Sequence, residues 1–176
     1  MSFSTLNEWL EFQQGINPKE IDLSLDRVQK VYNKLQINIP EQNVFLIGGT
    51  NGKGTTTSIL ERLFHKKGYT TGAFTSPHLS QYNERVRVNL NNSFDEDWVS
   101  AFEIIETVRG DASLTYFEFS TLAAFQILSN HDCDAWFIEV GLGGRLDATN
   151  IIESSVSVLT SIAMDHEEWL GDSIDK

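Results

Sequence analysis

Proline is scarce in this chain, with three residues in 176, and cysteine scarcer still, with Cys133 the only one. A single cysteine excludes an intrachain disulfide and fits a reducing compartment. Positive charge is also short: 13 Lys and Arg stand against 25 Asp and Glu, a formal net charge of -12. That balance counts against nucleic acid as a partner, which normally calls for a basic face. It leaves room for a bound anion, because a local nest of N–H groups holds phosphate even in an acidic protein. No run of about 18 apolar residues is present to span a membrane. The opening residues, Met1-Ser2-Phe3 and on to Glu8 and Glu11, make neither the basic nor the apolar region of a signal peptide. Internal repeats and low-complexity linkers are missing too. What is there is a chain of ordinary domain length, 40% hydrophobic, that reads as a soluble, cytoplasmic globular unit.

Its pattern alternates strands and helices. Residues 4–14 and about 22–36 have helical spacing, the second with a stripe of Leu25, Val28, Val31, Tyr32 and Leu35, ended by Pro40. Val44–Ile47 is a short apolar run of the kind found in parallel sheets buried on both faces. A helix follows from Thr55 to about Lys67, with Ile59, Leu60, Leu63 and Phe64 expected inside and Gly68 as its stop. Thr70–Phe74 and Arg85–Leu90 read as strands. Ser93 with Asp95, Glu96 and Asp97 reads as a helix start, the acids lying at the positive end of the dipole. That helix runs to about Val108, another spans Phe117–Ser129, and Ala135–Val140 and Ser155–Leu159 are further strands. Strands separated by helices imply right-handed crossovers: an α/β fold, with a mostly parallel sheet and helices on both faces.

Four stretches stand at the carboxyl ends of these strands, where α/β proteins bind ligands. "GGTNGKGTTTS" (48–58) puts three glycines and Lys53 between a strand and a helix, the layout of a phosphate loop. It departs from the strict pattern G-x-x-x-x-G-K-[ST], since Ile47 stands at the first glycine and Gly54 separates Lys53 from Thr55. A tight glycine turn with an exposed lysine is the plainer alternative. The others are "TSPHLSQYNERVRVN" (75–89), "EVGLGGRLDATN" (139–150) and "SIAMDHEEWLG" (161–171). Glu139 with Ser76 suits Mg²⁺, a hard cation that takes oxygen ligands; His166 is a less usual ligand for it, and a lone histidine is often structural.

"GTNGKGT", "TSPHLSQYNERVRVN", "LTYFEFSTLAAF", "GLGGRLDATN" and "MDHEEWLG" together resemble, in order and spacing, the motif series of the folylpolyglutamate synthase family, including its bifunctional dihydrofolate synthase form. The resemblance runs the length of the chain. The lysine loop is shared with the wider Mur ligase family, whose central domain is P-loop NTPase-like. The resemblance implies a ligase that uses ATP and Mg²⁺ to turn the substrate's carboxylate into an acyl phosphate, which L-glutamate then attacks. The substrate would be a reduced folate or dihydropteroate. Matched position by position, Gly49, Thr50, Asn51, Gly52, Lys53, Gly54 and Thr55 hold the phosphates, with Lys53 neutralising charge. Ser76, Glu139 and His166 fall on metal ligands. Phe117, Arg145, Asp147 and Ala148 fall on the pterin side. Phe117 reads equally as a core aromatic, and Asp147 as a brace for its glycine loop.

Two readings from other classes stay open: a phosphotransferase or NTPase switch that makes no amide, and a nucleotide-binding module without catalysis. Family members are much longer, with a second domain that contacts glutamate and a carbamylated lysine beyond the last motif. Residues 1–176 are therefore expected to be the N-terminal part of the ATP-binding domain of an enzyme monomeric as a whole. The C-terminal glutamate-binding domain would be absent, and these residues alone inactive as a ligase.

Overall fold

The computed structural model describes residues 3–17 and 24–164. Five helices appear among them: α1 (Leu6–Ile16), α2 (Asp26–Tyr32), α3 (Lys53–Lys66), α4 (Asp95–Arg109) and α5 (Tyr116–Asn130). Six strands, β1 (Val44–Gly48), β2 (Thr71–Phe74), β3 (Val86–Val88), β4 (Asn91–Asn92), β5 (Ala135–Glu139) and β6 (Val156–Leu159), form one sheet in the order β4-β3-β2-β5-β1-β6. The central run β2-β5-β1-β6 is parallel, and β3 and β4 extend it antiparallel at one edge.

The alternation of side chains along each strand sorts the core into two layers. Ile47, Ala73, Ala135 and Phe137 face α3, where Leu60 and Phe64 pack on them. Phe74, Val86, Trp136 and Ile138 face the larger layer built with α1, α2, α4 and α5, centred on Trp9, Trp98, Phe102 and Phe119. Helices therefore cover both faces. Val28 and Val31 are buried in α2 as its stripe requires, with Leu25, Tyr32 and Leu35 packed around them.

Local chemistry accounts for the helix ends. Thr5 and Glu8 cap α1 reciprocally, and Thr115 and Glu118 do the same for α5. Gly68, with φ of 91°, terminates α3 by donating to the His65 carbonyl.

Four expectations need correction. Ile59 and Leu63 are each 53% exposed; the face of α3 against the sheet is instead Thr57, Leu60, Glu61 and Phe64, a regular i, i+3, i+4, i+7 stripe that includes a buried carboxylate. The helix also begins two residues earlier than expected, at Lys53. The strand expected at Arg85–Leu90 covers only Val86–Val88, after a 3₁₀ turn at Tyr82–Arg85. It turns through Asn89 and Leu90, both at positive φ, into β4, the two-residue hairpin geometry that follows strand twist. Finally, Phe94 rather than Ser93 stands at the start of α4, its N–H held by the Asp97 carboxylate at 2.9 Å, while the Ser93 hydroxyl accepts from the Trp98 indole at 2.7 Å.

Candidate functional site

The parallel strands all end on one side, and three candidate residues meet there. Gly52, with φ of 87°, precedes α3, and the first intrahelical bond runs from Thr56 N–H to its carbonyl. The amides of Lys53, Gly54 and Thr55 are thus the donors a helix start leaves open, at the positive end of its dipole. Lys53 folds back over the loop and donates to the Gly49 carbonyl at 2.7 Å. Glu139, at the end of β5, is 6% exposed and accepts from the Ser76 N–H at 3.1 Å. A Cβ at Gly54 would lie 3.6 Å from both Glu139 oxygens, so the glycine that interrupts the strict lysine-loop pattern is where the helix start passes closest to this carboxylate. Burial pushes the Glu139 carboxyl above its ordinary value; the Ser76 N–H, then the charges of Lys53 and Arg87, then the Gly54 amide pull the other way.

The loop is held in shape by the chain that follows the neighbouring strand, β6. Thr50 N–H donates to the Ser161 carbonyl at 2.6 Å, the Thr50 hydroxyl donates to the Ala163 carbonyl at 3.1 Å, and Asn51 pairs with Ser161 as an antiparallel bridge. Gly49 is required for this. Its φ is 129°, and a Cβ there would stand 2.2 Å from the Thr160 hydroxyl and 2.9 Å from the Ser161 carbonyl. Nothing in the pattern of residues 48–58 signals that clamp, because its other half lies about 110 residues away.

The loop at 141–150 has its own organisation. Asp147 is 4% exposed; one carboxylate oxygen accepts from Leu142 N–H at 2.8 Å and the other from the Thr149 N–H and hydroxyl. Burial raises its carboxyl, with the Thr149 hydroxyl as the largest opposing influence. Bracing its own loop is the work this geometry shows. Ala148 is buried beside it, and Arg145 and Leu146 are exposed at the tip. Phe117 is half-buried near the start of α5, stacked on Phe74 at 6.1 Å, and its ring occupies the space that a side chain at position 141 would need. Ser76 joins Pro77 through a cis peptide bond. His166 lies outside the described residues.

The donor set fits a hard cation in part. The Glu139 carboxylate offers its oxygens beside Gly54, and Ser76, a residue with a hydroxyl, stands next to it through its N–H, a pairing that suits Mg²⁺ where phosphates and water complete the shell. Among the described residues no group of three or more His, Cys, Asp or Glu side chains forms a metal cage. Two clefts elsewhere on the surface, one beside Phe12 and Arg109 and one beside Tyr69 and Cys133, include no candidate residue. Among the described residues no helix is long and apolar enough to cross a membrane.

No family model matches the chain. It is 47% identical over 168 residues to the dihydrofolate synthase/folylpolyglutamate synthase of Escherichia coli (strain K12), a match covering 96% of this chain and 40% of that protein. A solved structure of E. coli FolC in complex with DHPP and ADP superposes with a TM-score of 0.94 at 46% identity, over 97% of this chain and 41% of that one. A bifunctional folylpolyglutamate synthase/dihydrofolate synthase with Mn, AMPPNP and L-glutamate bound gives 0.89 at 44% identity, over 97% and 41%. The chain thus spans about 40% of the length of the curated relatives it matches.

Proposed function

We propose that this chain, which belongs by sequence and fold to the folylpolyglutamate synthase/dihydrofolate synthase family, builds the phosphate, metal and folate side of an ATP-dependent ligase that joins L-glutamate to a reduced folate or to dihydropteroate. The observation that carries the reading is the meeting of the α3 start, Lys53, Ser76 and Glu139 at one sheet edge.

In this reading the backbone amides left open at the start of α3, those of Lys53, Gly54 and Thr55, hold the ATP phosphates with the helix dipole behind them. Lys53 exchanges its bond to the Gly49 carbonyl for the β/γ-phosphates and offsets charge that spreads as the γ-phosphoryl group moves to the folate carboxylate. Mg²⁺, when bound, neutralises phosphate charge and brings the two anions together. Glu139 and Ser76 would hold it, with His166 as a further ligand. The resulting acyl phosphate is open to attack by the amino group of glutamate, with phosphate leaving. Nothing in this chemistry calls for a strong general base among the described residues. Its main demand is that two anions be held in contact.

On the folate side, the brace made by Asp147 shapes the loop that carries Arg145 and Ala148, and Phe117 supplies an aromatic face next to it. We assign Asp147 the role of fixing that loop, and Arg145 that of the exposed contact. Groups that hold glutamate belong, in this reading, to sequence beyond these 176 residues. The setting is cytoplasmic.

The test is an assay of the whole protein for ADP release with tetrahydrofolate and with dihydropteroate in turn. The reading requires release that depends on glutamate. Release without glutamate would favour a phosphotransferase or NTPase, and nucleotide binding with no turnover would favour a binding module.

A further inference from the structure

Strand β3 stands at the margin of the sheet, yet one of its side chains reaches behind the site. Arg87, opposite Ala73 of β2, donates through Nε and Nη2 to Glu61 Oε2 on α3, at 3.0 and 2.8 Å. Its Nη1 donates to the Thr75 hydroxyl at 3.1 Å and reaches the Glu84 carbonyl at 3.4 Å. Glu61 is 1% exposed, and its other oxygen, Oε1, is buried without a partner among the described residues. For stability this is a poor bargain. A buried acceptor left unpaired is costly, and a well-packed apolar pair in such a place is often at least as stable as an ion pair. What the fork of Arg87 provides that apolar packing does not is direction.

The two things it connects are the two halves of the site. Glu61 lies two turns along the helix whose first turn is the phosphate loop. Thr75 is the residue before Ser76, whose N–H holds Glu139. We propose that Arg87 is a positioning residue: through Glu61 and Thr75 it fixes the separation between the phosphate-loop helix and the Ser76–Glu139 pair. Phosphates bound on one half then meet a cation bound on the other in register. The inference rests on the ligase reading for the identity of those ligands, while the tie itself is a matter of geometry.

Calorimetric titration of the whole protein with ADP, with and without Mg²⁺, separates the halves, and steady-state kinetics adds kcat. For Arg87→Ala and Glu61→Gln, metal-free ADP affinity should stay within about threefold of the parent. The gain in affinity on adding Mg²⁺ should shrink about tenfold, and kcat should fall about a hundredfold, the scale of an ångström-level misplacement. Arg87→Lys keeps a charge for Glu61 but cannot also span to Thr75, and should lie between. A cooperatively folded Arg87→Ala protein with the full Mg²⁺ gain would overturn the proposal. So would loss of metal-free ADP binding, which would mean that the pair merely supports the loop. If the first two variants do not fold, Arg87→Lys decides: an undiminished Mg²⁺ gain refutes the tie, and a reduced one at normal metal-free affinity supports it. A parent protein with neither a Mg²⁺ gain nor glutamate-dependent turnover would instead count against the ligase reading.

Discussion

Gly54→Ala should make the protein more stable and less active. Gly54 is the second residue of α3, and a Cβ there meets nothing closer than the Glu139 oxygens at 3.6 Å, an ordinary contact distance. Its backbone is helical, so alanine is compatible, and the gain from helix propensity and a less flexible unfolded chain is about 0.5–1 kcal/mol. For a chain of this size that corresponds to a melting-point rise of about 1–4 °C. The same methyl, however, would lie against both Glu139 oxygens, the atoms that the proposed cation would need. Loss of one such electrostatic arrangement costs about a hundredfold or more in kcat. The assay pairs thermal unfolding without ligands with glutamate-dependent ADP release by the whole protein. A drop in stability of more than about 1 kcal/mol would show that the contact geometry is misjudged. Full activity in the stabilised variant would show that this face of Glu139 is not used.

Gly49→Ala should behave in the opposite way, destabilising by about 2–3 kcal/mol in urea unfolding, because its Cβ would collide with Thr160 at a φ of 129°. Lys53→Ala should fold normally but lose several kcal/mol of activation, seen as a fall in kcat/KM of about 10³ or more; near-normal turnover would remove Lys53 from the phosphate site. Glu139→Gln should abolish activity. Measured without metal or nucleotide, it should also raise stability at neutral pH. Burial lifts the folded-state carboxyl above its ordinary value, so the folded protein holds the proton more tightly than the unfolded chain does. The native state is therefore favoured below the unfolded value and loses that advantage as pH rises through the raised one. The substitution should erase this decline and change little at acid pH.

The strand–glycine turn–helix around Lys53 was legible because three signals coincide within a few residues: an apolar strand, glycines with a lysine, and a helical stripe. Ser76 and Glu139 could be placed beside it from chain order, since in a parallel sheet every strand end after a helix falls on the same side. The stripe of α3 was misread for a physical reason. Its buried face includes Glu61, and a carboxylate is admitted there only through an arginine on a strand 26 residues away. No periodicity shows such a partner. The Asn89-Leu90 hairpin went unseen because neither residue is the glycine that usually marks such a turn. The helix start at Ser93 was misjudged because a buried indole competes for that hydroxyl. Asp147 carried both readings in the sequence, and only the three bonds it makes inside its own loop weigh toward the brace.

The clamp between Thr50–Asn51 and Ser161–Ala163 has a consequence for how the protein is made. The two partners are separated by about 110 residues, and a ribosome adds roughly 5–20 residues per second, so the loop is without its clamp for roughly 5–20 s after its own residues are joined. Strand β1 and helix α3 can pack in that interval, since Leu60 and Phe64 meet Phe45 and Phe137 independently of the loop. The loop's final shape cannot, because the bonds that hold Thr50 and Asn51 come from residues not yet translated. A released chain that ends shortly before residue 160 should therefore keep most of its sheet but leave Thr50 and Asn51 without the bonds that hold them. On the proposed reading, the ability to grip phosphate would come late in synthesis, after most of the core that supports it.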